Sequence, residues 1–161
     1  MRGFLTALVI AATSAVLGYG LWLRLRPLDL DRAVRELVDG DADRHERIAC
    51  LEVVLREGLR RAAAGDERAG VLAEMASLDL GRADEYQRAV ELIGDRTPYE
   101  PGGSLTIDEA CLGEPYLALL LRARLAPADE AQRLFHQSAV SASLFGADAV
   151  ADVARQAAAG R

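Results

Sequence analysis

From Gly3 to Leu23 the chain carries no charged side chain, and arginines close the run on both sides, Arg2 before it and Arg24 and Arg26 after it. As a helix rising ~1.5 Å per residue, such a run reaches the ~30 Å of a bilayer's hydrocarbon core. A core helix of a water-soluble domain would show a polar face, and this run has none. A cleaved secretory signal needs a short apolar region and then small residues at the cut. Gly18 and Gly20 are small, but Leu21, Trp22 and Leu23 carry the apolar character past them. Trp22 with Arg24 and Arg26 instead reads as an interfacial anchor, a ring and two guanidinium groups at headgroup level. The sequence therefore predicts an uncleaved single-pass transmembrane helix within residues 1–26, with signal cleavage as the alternative.

Arginine counts alone would leave the body in the cytoplasm, since two follow the run and one precedes it. A very short basic N-terminus leading straight into a span is the pattern of an exported body. The expectation taken forward is a cell (inner) membrane protein with its body on the extracytoplasmic or periplasmic side. Within the run, Gly3, Ala7, Ala11 and Ala15 recur every fourth residue. Small residues at that spacing let helices approach closely in lipid, so these four are a candidate packing face, although an Ala-rich helix also produces the spacing by chance.

The rest of the chain is long enough for one domain with a real core. The formal charge of −6 is unevenly placed: the first 26 residues hold three Arg and no acid, so the remaining 16 Arg face all 25 acids and leave −9. An acidic body does not suit nucleic acid, whose phosphates require clustered cations, nor does it suit lying flat on anionic lipid. All 19 basic residues are Arg, and without any Asn the chain holds no N-glycosylation acceptor. Cys50 and Cys111 are far apart and form no Cys-x-x-Cys. They read as two buried thiols, with a disulfide between them as the alternative if the body is exported.

The body reads as all-α, a bundle or short solenoid of about six to seven antiparallel amphipathic helices, with no alternating strand-like run. Helix signals begin at Leu30 after Pro27 and Asp29, and at Asp43 with Glu46 three residues on, a capping-box pair. They recur at Asp66, after Gly81, and at Thr106 with Glu109; Gly40, Gly65, Gly94 and Gly146 mark stops. Gly113 and Pro115 break the chain before Tyr116–Leu125, which is apolar on most sides and so expected at the centre of the fold. Pro127 is expected to start the next helix, with Ala131, Leu134, Phe135, Ser138, Ala142 and Phe145 inward. In the second helix the predicted buried stripe is Ile48, Leu51, Leu55, Leu59 and Ala62, with Cys50 on its flank. Pairs four apart, Glu52–Arg56, Glu57–Arg61, Asp84–Arg88 and Asp129–Arg133, suit solvated helix faces. The organisation expected is residues 27–93 as a first helical subdomain, 94–106 as a connecting loop and 107–161 as a second subdomain.

The segment Leu72 to Pro98 resembles part of a tetratricopeptide repeat, with Gly81 at the turn between helices, Val90 and Ile93 apolar where the second helix packs, and Pro98 closing the unit. The resemblance covers about one unit, departs from the family at Tyr86, where a small residue belongs, and lacks the first-helix aromatic and Leu-Gly positions. It implies a peptide- or protein-binding scaffold and no chemistry.

Chemistry-bearing patterns are sparse. His45 and His136 are the only histidines; no phosphate loop, Gly-x-Ser-x-Gly elbow or His-Glu-x-x-His is present. No catalytic, cofactor-binding or metal-binding residue is assigned. The irregular stretch from Gly94 to Leu105 offers Asp95, Arg96, Tyr99 and Glu100 as candidate partner contacts, or serves only as a connector. The function expected is that of a non-enzymatic membrane protein acting as an accessory or interaction subunit of a membrane complex. The alternative is an exported soluble helical binding protein with a cleaved signal.

Overall fold

Side-chain caps fix where four of the eight described helices start. Asp29 accepts the Arg32 backbone N–H at 2.9 Å and opens α1 (Leu30–Asp39). Asp43 accepts from the His45 and Glu46 N–H groups at 2.8 and 2.9 Å while Glu46 takes the Asp43 N–H at 3.2 Å, so both halves of the capping box form at the head of α2 (Arg44–Ala62). Asp66 caps α3 (Glu67–Asp79) through the Ala69 N–H, and α4 (Ala83–Ile93) follows the Gly81 turn. Thr106 and Glu109 form the second capping box, opening the single turn α5 (Ile107–Ala110). Pro115 takes the first position of α6 (Pro115–Leu125), where its missing N–H leaves nothing unsatisfied. Two helices complete the chain, α7 (Ala128–Leu144) and α8 (Asp148–Ala159). Pro127 thus precedes α7 rather than opening it.

The computed structural model describes residues 28–40, 43–94 and 105–160. Among these residues all regular structure is helical, in eight helices, and none is long and apolar enough to cross a membrane. The count exceeds the expected six to seven because α5 stands as a separate turn. The anchor assigned within residues 1–26, its Gly3, Ala7, Ala11 and Ala15 face and its Trp22, Arg24 and Arg26 flank lie outside the described residues. So do Asp95, Arg96, Tyr99 and Glu100.

Each helix packs on the next from α1 to α4 and from α6 to α8, and next-but-one pairs α2–α4 and α6–α8 also touch. The two series meet where α3 contacts α5 and α8 and where α1 contacts α5, and their buried residues join in one core. The centre of that core is α3. Every residue from Ala69 to Leu78 is buried, including Glu74 and Ser77. The sequence pointed instead to α6, whose Ala118, Leu119 and Arg124 are only half-buried. In α3, Val71, Leu72, Met75 and Leu78 mark one inward face, and the other sides are buried through Ala, Gly and Ser, which score weakly and pack closely.

On α2 the buried face is Cys50, Leu51, Val54, Leu55, Gly58 and Ala62. The predicted stripe is corrected at Ile48, which is 42% exposed, and at Cys50, which is 2% exposed. Gly58 explains the rotation. A Cβ at this position would stand 2.8 Å from the Ala69 carbonyl oxygen and 2.9 Å from Ala73 Cβ, so α2 and α3 touch backbone to backbone there. Phe145, which follows α7 as its C-cap, is corrected from the inner face to the surface, at 68% exposure.

Cross-links between helices define two poles. At the proximal pole, where the chain enters, Asp31 in the first turn of α1 accepts from Arg68 in the first turn of α3 at 2.7 Å. At the distal pole, Arg47 in the first turn of α2 reaches Asp79, the last residue of α3, at 2.9 Å. The 13 residues of α3 therefore run pole to pole over about 20 Å.

Candidate functional site

Two arginine-centred networks tie the helices together, and they differ in how fully the guanidinium is used. At the distal pole Arg47 Nη2 lies 2.9 Å from Asp79 and 2.8 Å from Glu114, and Nη1 donates to the Leu112 carbonyl at 3.4 Å. Asp79 also accepts from the Tyr116 hydroxyl at 2.5 Å. Burial and the Asp79 charge hold the Tyr116 phenol well above its usual range. Burial raises Glu114 above the ordinary carboxylate value; Arg47 opposes the shift and Asp79 adds to it. The carbonyl that Arg47 grips belongs to a strained turn, since Leu112 has φ +52° and Gly113 φ +77°. A Cβ on Gly113 would meet the Leu37 carbonyl oxygen at 2.6 Å, so only glycine lets this turn lie against the end of α1. Every member of the network has a partner inside the fold. It acts as a clasp joining α2, α3 and the α5–α6 turn.

The second network faces a cleft. Arg124 Nη1 donates to Glu74 at 2.6 Å, and Nη2 to the Tyr86 hydroxyl at 3.4 Å. Glu74 is 6% exposed and is the only acid in the buried stretch of α3. Arg124, Tyr86, Leu120, Phe135, Val153, Ala157 and Gly160 line a cleft of about 390 Å³ between α4, α6, α7 and α8. Burial raises the Tyr86 phenol above its usual value, with Glu74 adding to the shift and Arg124 opposing it. The cleft thus has apolar walls and one guanidinium, a composition suited to a small amphiphilic molecule. From sequence alone none of these residues carries a binding role, and Phe135 is read only as packing. The signal was Glu74 itself, an acid set between Ala73 and Met75 in an otherwise apolar stretch, which demands a cationic partner once the helix is buried.

A second, smaller cleft of about 240 Å³ lies at the proximal end among Ala62, Gly65, Asp66, Glu67, Gly70, Leu92 and Ile93. At the distal pole Val140, Leu144 and Phe145 are 50%, 81% and 68% exposed. The Phe145 ring rests on Tyr116 with centroids 5.9 Å apart. These three form an apolar patch on the outer end of α7.

The cysteines are both buried and free. Cys50 donates to Glu36 Oε2 at 3.5 Å, and burial together with that carboxylate pushes its thiol up to about 11. Cys111 donates to the Asp108 carbonyl at 3.3 Å and is also raised, chiefly by burial. His45 and His136 are exposed, and among the described residues no group of three or more His, Cys, Asp or Glu is placed to hold a metal. Of the predicted surface pairs, Glu57 bonds Arg61 at 3.2 Å. Glu52 instead pairs with Arg82 across helices, and Arg133 with Glu130 at 3.4 Å. No family model matches the chain, and no curated protein or solved structure matches it either.

Proposed function

We propose that this protein is a non-enzymatic single-pass membrane protein whose acidic helical domain serves as an accessory subunit of a membrane complex. One observation carries the reading: the three most exposed large apolar side chains among the described residues, Val140, Leu144 and Phe145, stand together at one end of α7. Monomeric domains rarely expose such clusters without a partner for them. The charge-free run from Gly3 to Leu23 supplies the anchor and ends only a few residues before the Asp29 cap. Four to five linking residues reach at most ~18 Å, so the proximal pole, where α1 begins, is the tethered end, and the apolar patch lies at the opposite pole of the body. The partner met there is a protein surface rather than lipid. The acidic body speaks against nucleic acid, and the hairpin of α3 and α4 about Gly81, where the tetratricopeptide resemblance falls, supports a scaffold role. We take the body to face the extracytoplasmic side.

The test is purification of the full chain from membranes in mild detergent, beside the variant Leu144→Ser/Phe145→Ser. The expected result is a reproducible stoichiometric complex with the native chain and a monomer with the variant, at equal thermal stability. A native chain that is itself a solitary monomer overturns the assignment. The alternative, an exported soluble binding protein, requires that the first ~20 residues be removed; an intact N-terminus on the mature chain eliminates it. Since Cys50 and Cys111 are buried, a cysteine introduced at exposed Ala49, away from the apolar patch, would be the accessible thiol among the described residues. Its labelling in intact cells reports which side holds the body.

A further inference from the structure

The two arginine networks pose a contrast. Arg47 is held by two carboxylates and a carbonyl, all within the fold. Arg124 is no less firmly built in, yet among the described residues it meets one carboxylate, Glu74, and one phenol at the long distance of 3.4 Å. A guanidinium offers five N–H donors in a planar fork suited to a carboxylate. Arg124 borders the cleft, whose remaining walls are Leu120, Phe135, Val153 and Ala157. Its size lies within the range of ordinary small-ligand sites.

We propose that the cleft binds a small amphiphilic carboxylate. The head sits on the Arg124 guanidinium beside the Tyr86 hydroxyl, and the apolar body lies against Leu120, Phe135 and Val153. Charge selects the class. Glu74 alone neutralises Arg124, and a second carboxylate on the same guanidinium reproduces what Arg47 does with Asp79 and Glu114. An amine head would meet the guanidinium as a like charge. An alcohol could accept from it but would forgo the bidentate, charge-assisted geometry. Tyr86 is kept protonated by its burial and so can donate to the ligand rather than repel it. This site is separate from the Leu144–Phe145 patch, and its occupancy does not depend on the membrane assignment.

The test is a titration of the isotope-labelled full chain, in lipid nanodiscs, with 3-phenylpropionate, followed by NMR at Tyr86, Leu120, Val153 and Ala157. 3-Phenylpropylamine, 3-phenylpropanol and a short peptide ending in leucine are titrated in parallel. The expected result is saturable shifts at these residues with the acid, weaker by about tenfold or more with the amine and the alcohol. Two variants report separately. Val153→Trp fills the cleft from its rim and leaves the ion pair alone; Glu74→Gln/Arg124→Gln removes both charges together, so neither is stranded. Each is expected to lower affinity for the acid about tenfold or more while the chain stays folded. The proposal is overturned if the amine or alcohol binds as tightly as the acid, or if folded Val153→Trp binds undiminished. It is also overturned if the acid gives no saturable shift, including the case in which the peptide alone binds.

Discussion

The Tyr116 hydroxyl donates to Asp79 across 2.5 Å, and the same carboxylate takes Arg47 on its other oxygen at 2.9 Å. Tyr116 stands in the first turn of α6 and Asp79 at the end of α3, so this bond ties the two helical series together at the distal pole. Tyr116→Phe keeps the ring and its packing on Phe145 and removes only the donor. The expected cost is about 1.5–3 kcal/mol, the range for hydrogen bonds to charged groups, read as a lower urea midpoint at unchanged slope. A loss below a few tenths would mean that Arg47 alone satisfies Asp79.

Glu114 makes stability depend on pH in the less usual direction. Its folded value lies above the ordinary 4.5, chiefly because of burial. The folded state therefore binds this proton more tightly than the unfolded state does. The contribution is fully present below about 4.5 and is lost as pH rises through the raised folded value. Glu114→Gln should remove that decline, so the difference in stability between variant and native chain grows in the variant's favour from pH 4.5 to neutrality. Unfolding by urea at a series of pH values measures it, and parallel profiles would rule the coupling out.

The Glu74–Arg124 pair should behave as a unit. Glu74→Leu leaves a largely buried guanidinium without its carboxylate. A cost of about 2–3 kcal/mol is expected, below that of a wholly buried pair, because the Arg124 side chain keeps 31% exposure. Glu74→Leu/Arg124→Leu should recover most of the loss, since an apolar pair of similar volume replaces the ions. Additive losses in the double variant, measured by thermal or urea unfolding, would show that the two side chains are not coupled.

Close backbone approach predicts the glycine series. Gly113→Ala combines a left-handed backbone with the Leu37 carbonyl 2.6 Å from the added Cβ, so it should cost at least about 2 kcal/mol. Gly40→Ala has the left-handed backbone and open space, and should cost about 1 kcal/mol. Gly58→Ala gains helix propensity but must push α2 from α3, for a net loss of about 1–2 kcal/mol. A stabilised Gly58→Ala chain would mean the two helices do not touch at that point.

The helix starts were legible because caps are local chemistry. Asp43 with Glu46 and Thr106 with Glu109 satisfy backbone donors within four residues, and nothing distant competes for them. Faces were harder. On α2, Ile48 and Val54 are both apolar, and the choice between them turned on Gly58, which has no side chain to weigh. Phe145 was expected inside for its size, yet it follows the last residue of α7 and rests one side of its ring on Tyr116. The partners Asp79–Tyr116 and Glu74–Arg124 stand 37 and 50 residues apart in the chain. Only the packing of α3 against the later helices brings them together, and periodicity carries no information about that.

The burial of α3 on all sides has a consequence for the order in which the protein is made. Its neighbours α2 and α4 emerge with it, but α8, which covers part of it, is synthesised well after them. At ~5–20 residues per second the ribosome takes several seconds to add the stretch between them. Until α6 follows, Glu74 in the buried stretch of α3 lacks Arg124, its cationic partner. That buried stretch is therefore fully covered only once these later helices have been made.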